Sequence, residues 1–95
     1  MYALEGNFSV LPKELSRKEV ADMLGIKTRQ LQVYLNLVRL FLPEFEDFTH
    51  PGTGELNRFA TLTEWHIEAL MKVRRRVKKV GFLQTRIELA RGEKL

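Results

Sequence analysis

Along the chain, stretches with apolar residues at three- and four-residue steps alternate with stretches where that period fails, so the helices can be placed first. The first periodic set is Val20, Ala21, Met23 and Leu24. Ser16 stands before it with Glu19 three residues on, the pair that forms a reciprocal capping box, and Gly25 follows, able to take the left-handed conformation that ends a helix. A helix of about two turns is predicted there. After Ile26-Lys27, Thr28 is positioned to cap a second helix carrying Leu31, Tyr34, Leu35 and Val38, which Pro43 would stop. A longer helix is predicted from Thr61 or Thr63 to about Val80. Trp65, Ile67, Leu70, Met71, Val73, Val77 and Val80 make its apolar face, and Lys72, Arg75, Arg76 and Lys79 gather opposite. Gly81 breaks that helix, Phe82 follows as an anchor, and Gln84 to about Arg91 form a last helix with Ile87, Leu89 and Ala90 as its apolar residues.

Between Leu42 and Leu62 the helical period disappears. Glu44-Phe45-Glu46-Asp47-Phe48 alternates acidic and aromatic residues, His50-Pro51-Gly52-Thr53-Gly54-Glu55 is a turn cluster, and Leu56 to Leu62 returns to mixed polarity. This pattern predicts a small two-stranded hairpin. Two short strands need support, so Phe45 or Phe48 together with Phe59 would pack onto the helices, leaving His50, Thr53, Asn57 and Arg58 near the tip. The same glycines and proline also suit a mobile loop.

Small Ala21, then Gly25, then aliphatic Leu31 is the spacing of a helix-turn-helix from about Arg17 to Asn36. The small residue lets two helices approach, the glycine makes the turn, and the leucine pins the second helix to the first. An ordinary helical hairpin has the same spacing. Pinned in this way, the second helix turns Lys27, Arg29, Gln30 and Gln32 outward at its start, where a recognition helix presents side chains to a major groove. Arg and Lys can meet phosphates or guanine, and Gln can pair twice with adenine.

Composition narrows the choice of function. Ninety-five residues suit one domain, read as an N-terminal arm over 1–14 and a folded unit over 15–95. With no cysteine there are no disulfides, thiolate nucleophiles or Cys-based metal sites, and a reducing compartment, the cytoplasm, is expected. The longest apolar-rich stretch, Leu31 to Leu42, is interrupted by Gln32, Asn36 and Arg39 and falls short of the roughly 20 residues of a membrane span. Met1 to Val10 carries Glu5 and no basic cluster, so no signal peptide is expected. The net charge of +4 is unevenly placed: residues 1–50 hold six Lys/Arg and seven Asp/Glu, whereas residues 51–95 hold ten and five. Six of those ten lie between Lys72 and Lys79, either a surface for an anionic partner or a solvated helix face. His50 and His66 lack metal-type spacing, the carboxylates Glu44, Glu46 and Asp47 read as an acidic surface loop, and no Gly-rich phosphate loop follows a strand. No enzyme activity, cofactor or metal is expected.

Three stretches resemble the winged-helix DNA-binding domain of MerR-type transcriptional regulators, over about 75 residues from Leu15 to Arg91. Lys18-Glu19-Val20-Ala21-Asp22-Met23-Leu24-Gly25-Ile26 is similar to the family's opening helix-turn, and Thr28-Arg29-Gln30-Leu31-Gln32-Val33-Tyr34 is similar to its Arg-Thr-Ile-Arg-Tyr-Tyr stretch. Met71 to Phe82 is similar to its Leu-Arg-Glu-Leu-Gly-Phe segment. The resemblance implies a mainly α fold, a winged helix-turn-helix with a small two-stranded β wing. It also implies that Arg29 meets the DNA backbone and that Tyr34 matches a family tyrosine. Gln32 and Val33 depart from the family's arginine and tyrosine, and Ala60 stands where a wing arginine is common, with Arg58 one step earlier as its substitute. Family members continue into a long dimer helix and a sensor region, neither of which fits after Arg91, so an excised domain or a minimal relative is expected.

Residue pattern and resemblance together nominate Arg17, Lys18, Lys27, Thr28, Arg29, Gln30, Gln32, Tyr34, Thr53, Asn57 and Arg58 as the DNA-contacting set. The function expected is that of a sequence-specific regulator of transcription, acting as a repressor at the nucleoid. Its target would be double-stranded DNA bearing an inverted repeat, bound as a homodimer through Phe82, Leu83, Ile87 and Leu89. The alternatives are an accessory factor of a mobile element that bends DNA, and a protein-interaction module whose basic surface is incidental.

Overall fold

The structure, a computed structural model, describes residues 13–95. It is mainly helical with one small antiparallel sheet. In order, the elements are β1 (Glu14–Leu15), α1 (Arg17–Leu24), α2 (Thr28–Val38), a 3-10 segment (Pro43–Phe48), β2 (Leu62–Thr63), α3 (Glu64–Val80) and α4 (Phe82–Ala90). Most of the expected arm, residues 1–12, lies outside the described residues.

Local chemistry sets the helix ends. The Glu19 backbone N–H donates to Ser16 Oγ at 3.0 Å and the Ser16 N–H donates to the Glu19 carboxylate at 2.8 Å, so the expected capping box is present. That backbone donor, together with the Ser16 hydroxyl, holds the Glu19 carboxyl below its ordinary range. Gly25 adopts φ 71°, ψ 32°, and the Ile26 N–H reaches back to the Ala21 carbonyl at 2.9 Å, closing α1 with a left-handed turn that a Cβ would strain. In α2 the cap position is Lys27 rather than Thr28: the Gln30 side-chain oxygen accepts the Lys27 N–H at 3.3 Å, and Thr28 begins the helix proper. α2 also ends before Pro43, at Val38, and the proline instead opens the 3-10 segment, where its missing N–H costs nothing. At the start of α3, His66 does the work usually given to a glutamate, its Nδ1 accepting the Thr63 N–H at 3.0 Å.

The core sits where α1, α2, α3 and the 3-10 segment meet. Val20, Leu31, Leu35, Val38, Phe45, Phe48, Leu62 and Leu70 are fully buried within it. Phe45 and Phe48 pack on one another and on the His66 ring, which is further held by the Glu44 carbonyl at 3.1 Å from Nε2.

Four expectations need correction. No hairpin forms over 45–62: Thr49 and Leu56 make a single antiparallel bridge, and the two-stranded sheet joins β1 to β2 instead, with Glu14 opposite Thr63 and Leu15 opposite Leu62. The reason is that Pro43–Phe48 coils to bury both phenylalanines, which leaves too little extended chain for a ladder. Phe59 does not pack on the helices but is 92% exposed, and Trp65 leaves the apolar face of α3 at 71% exposed. The last helix starts at Phe82, directly after Gly81, which takes φ 93°.

Candidate nucleic-acid interface

Leu31, Leu35 and Val38 are at zero exposure, so α2 cannot rotate without exposing its apolar side, and its opposite side is fixed toward solvent. Lys27, Thr28, Arg29, Gln30, Gln32, Val33 and Asn36 are all exposed there. Beside them runs an open groove of about 410 Å³ lined by Arg29, Gln32, Val33, Asn36, Arg39, Glu55 and Leu56. One wall is the outer face of α2 and the other is the loop after the 3-10 segment.

The loop is built rather than slack. The His50 N–H donates to the Glu55 carbonyl at 2.7 Å and the Gly54 N–H returns to the His50 carbonyl at 2.8 Å. Within the tip, His50 Nδ1 accepts the Gly52 and Thr53 N–H groups, and Thr53 Oγ1 accepts the Glu55 N–H. Arg39 then ties this loop to α2. Its Nε donates to Asn36 Oδ1 at 2.8 Å, and its Nη1 donates to Thr49 Oγ1 and to the Gly54 carbonyl, both at 3.1 Å. In sequence Arg39 is only an interruption of an apolar run; a cation directly after the helix and eleven residues before the turn cluster is the available signal.

The residues nominated from sequence divide into two groups. Lys27, Thr28, Arg29, Gln30 and Gln32 share the outer face of α2, and Thr53 and Arg58 are exposed on the loop side. Lys18 is exposed on α1 and makes a loose pair with Asp22 at 3.5 Å. Three others are engaged inside the fold. Tyr34 is only 5% exposed and lies flat against Phe82, with ring centroids 6.4 Å apart, because its position falls on the Leu31 side of α2. Arg17 folds inward over Phe48, and its Nη1 donates to the Ala60 carbonyl at 3.2 Å while burial pushes its pKa down. Asn57 uses its whole amide locally, donating to the Asp47 carbonyl and accepting the Phe59 N–H.

The basic run on α3 also divides. Lys72, Arg75, Lys78 and Lys79 are exposed, and with Arg76 and Leu95 they line an open depression of about 560 Å³. Arg76, expected to point freely outward, instead grips Glu88 of α4 through two hydrogen bonds of 2.7 and 2.8 Å. Gln84 adds a third bond to the same carboxylate, and these donors pull the Glu88 pKa down to about 2.

Among the described residues no group of three or more His, Asp or Glu side chains could hold a metal ion, and no helix is long and apolar enough to cross a membrane. Comparisons with protein-family models, with curated proteins and with solved structures give no match to this chain.

Proposed function

We propose that this chain binds double-stranded DNA, with the first turns of α2 in the major groove and the His50–Glu55 loop against the neighbouring backbone. The observation that carries this reading is the exposed row of Lys27, Arg29, Gln30 and Gln32 on a helix whose other side is locked into the core. Donors and cations displayed on a rigid helix meet base edges and phosphates with no cost for ordering the backbone, and the tethered loop gives a second point of contact. In this reading the fold is a winged helix-turn-helix with a loop in place of a β wing, and the protein acts as a regulator of transcription of the MerR type. Arg29 then contacts a phosphate, and Gln30 and Gln32 discriminate bases.

Gel-shift titrations at two salt concentrations, after selection of a preferred site from a random duplex library, test this. Arg29→Ala weakens binding to matched and random duplexes alike, whereas Gln32→Ala costs about 1 to 3 kcal/mol at the preferred site alone. Arg39→Ala, which releases the loop without removing an outward side chain of the row, lowers affinity at both. No binding at low salt, or an unchanged Arg29→Ala variant, sinks the proposal.

A further inference from the structure

The two aromatic side chains expected inside and found in solvent, Phe59 and Trp65, border one open groove of about 900 Å³. The same groove is lined by Glu44, Glu46 and Asp47 of the 3-10 segment, and by no Lys or Arg. Burying Phe45 and Phe48, three residues apart on one side of that segment, turns the three acids outward, where all are exposed. Among the described residues none of these carboxylates takes part in an ion pair.

Both aromatics are fastened to the acidic segment through the backbone that carries them. His66 Nδ1 accepts the Thr63 N–H, so Nε2 carries the proton and donates to the Glu44 carbonyl at 3.1 Å, which ties the first turn of α3, with Trp65, to the 3-10 segment. Asn57 makes the second tie: its amide nitrogen donates to the Asp47 carbonyl at 3.2 Å, and its amide oxygen accepts the Phe59 N–H at 3.0 Å. The two sets of side chains therefore stand on backbone of fixed spacing, and a ligand has only their rotamers to order.

We infer that this groove binds an extended, arginine-bearing segment of another protein. A guanidinium lies on the Trp65 ring with its N–H groups on the carboxylates, and Phe59 covers an aliphatic neighbour. Three negative charges disfavour a phosphate backbone here and call for a cation. The exposed aromatic faces select a guanidinium, which is planar, weakly hydrated and able to stack, over a compact ammonium. Carboxylates accept its N–H pairs in plane while the indole covers its face. Tryptophan and arginine are also the residues that most often carry the energy of protein contacts. The groove is opposite in charge to the outer face of α2, so the inference does not rest on the nucleic-acid reading and is measured without DNA.

Trp65 is the one tryptophan of the chain, so its fluorescence reports on this groove. The probe is a blocked peptide, Gly-Arg-Leu-Arg-Leu-Gly, compared with the same peptide carrying citrulline, a neutral isostere, in place of arginine. The arginine peptide should move Trp65 emission to shorter wavelength in a saturable titration that weakens as salt is added. Citrulline in the peptide, or Glu44→Gln/Glu46→Gln/Asp47→Asn in the protein, should each weaken binding about tenfold or more. Those substitutions sit at exposed positions, with circular dichroism confirming the fold, and Phe59→Ser, which alters no charge, should weaken binding severalfold. Absence of a saturable shift with the arginine peptide overturns the inference. So does equal binding of the citrulline peptide, or by the triple variant, since the groove would then be an apolar patch that does not select charge. A natural chain whose emission shifts with its own concentration, before any peptide is added, assigns the groove to a second copy and overturns the inference as well.

Discussion

Two short helices of similar length, α2 and α4, use their two sides in opposite ways. α2 buries Leu31, Leu35 and Val38 and shows solvent a row of cations and amides; α4 buries the polar Thr85 and Glu88 beside Leu89, which is therefore not the free apolar surface expected of it, and shows solvent Leu83 and Ile87. The contrast teaches that stability and recognition are assigned to different chemistry in each. α2 is anchored by apolar burial, which does not depend on protonation or on ionic screening, and its polar face is at liberty to meet a charged partner. α4 is anchored by a carboxylate-guanidinium clamp together with buried Leu89 and the stacking of Phe82 on Tyr34, and it leaves Leu83 and Ile87 toward solvent.

Truncation on the two apolar sets separates the helices most sharply. Leu35→Ala should cost about 2 to 5 kcal/mol in a denaturant titration, because it opens a cavity at a site with no exposure. Leu83→Ala, at a site two-thirds exposed, should stay within about 0.5 kcal/mol of the natural chain. Equal losses would mean that Leu83 is packed rather than exposed.

Acid sharpens the comparison from the side of α4. The folded-state pKa of Glu88 is depressed to about 2 from an ordinary value of 4.5, so its contribution to stability is complete above about pH 4.5 and is lost as pH falls through about 2. Glu88→Gln should lower the melting temperature at pH 7 by less than Leu35→Ala does. The gap between Glu88→Gln and the natural chain should narrow as acid is added through that window. A gap that is constant with pH would show that Arg76 does not depend on the carboxylate charge.

The smallest effect expected is on the basic run. Replacing Arg75 and Lys79 with Gln should change stability by only tenths of a kcal/mol, as both are exposed, while flattening the salt dependence of DNA binding by about 0.9 per lost phosphate contact. Arg76 is left out of this set because its charge is already matched. If the double variant keeps its salt slope, the run is a solvated face.

Much of the helical frame was legible in the sequence because its signals are local. Ser16, Glu19 and Gly25 bracket α1 through bonds spanning at most five residues, and the period of Leu31, Leu35 and Val38 specifies which side of α2 goes in. Where the reading failed, distant partners decided the outcome. The pairing of Glu14 with Thr63 and Leu15 with Leu62 joins chain segments that no local pattern connects, and it overlaps the expected hairpin only at Leu62. Among the candidate contacts, side-chain type alone does not show which cations and amides a tertiary partner engages: Arg17 by Phe48 and Ala60, Arg76 by Glu88, Asn57 by the turn around it. Tyr34, nominated as a DNA contact because it matches a family tyrosine, sits inside, as its spacing from Leu31 on the apolar side of α2 dictates.

The tie made by Arg39 has an evolutionary corollary. A single guanidinium fastens the loop to α2, and no side-chain hydrogen bond within the described residues engages Arg29 or Gln32. Mutational drift at positions 29, 32 and 33 therefore leaves both the shape of the groove and the folding of the chain largely untouched. A lineage carrying this fold could exchange one preferred sequence for another by single steps, each neutral for folding, so long as Arg39 and its acceptors Asn36 and Thr49 are retained.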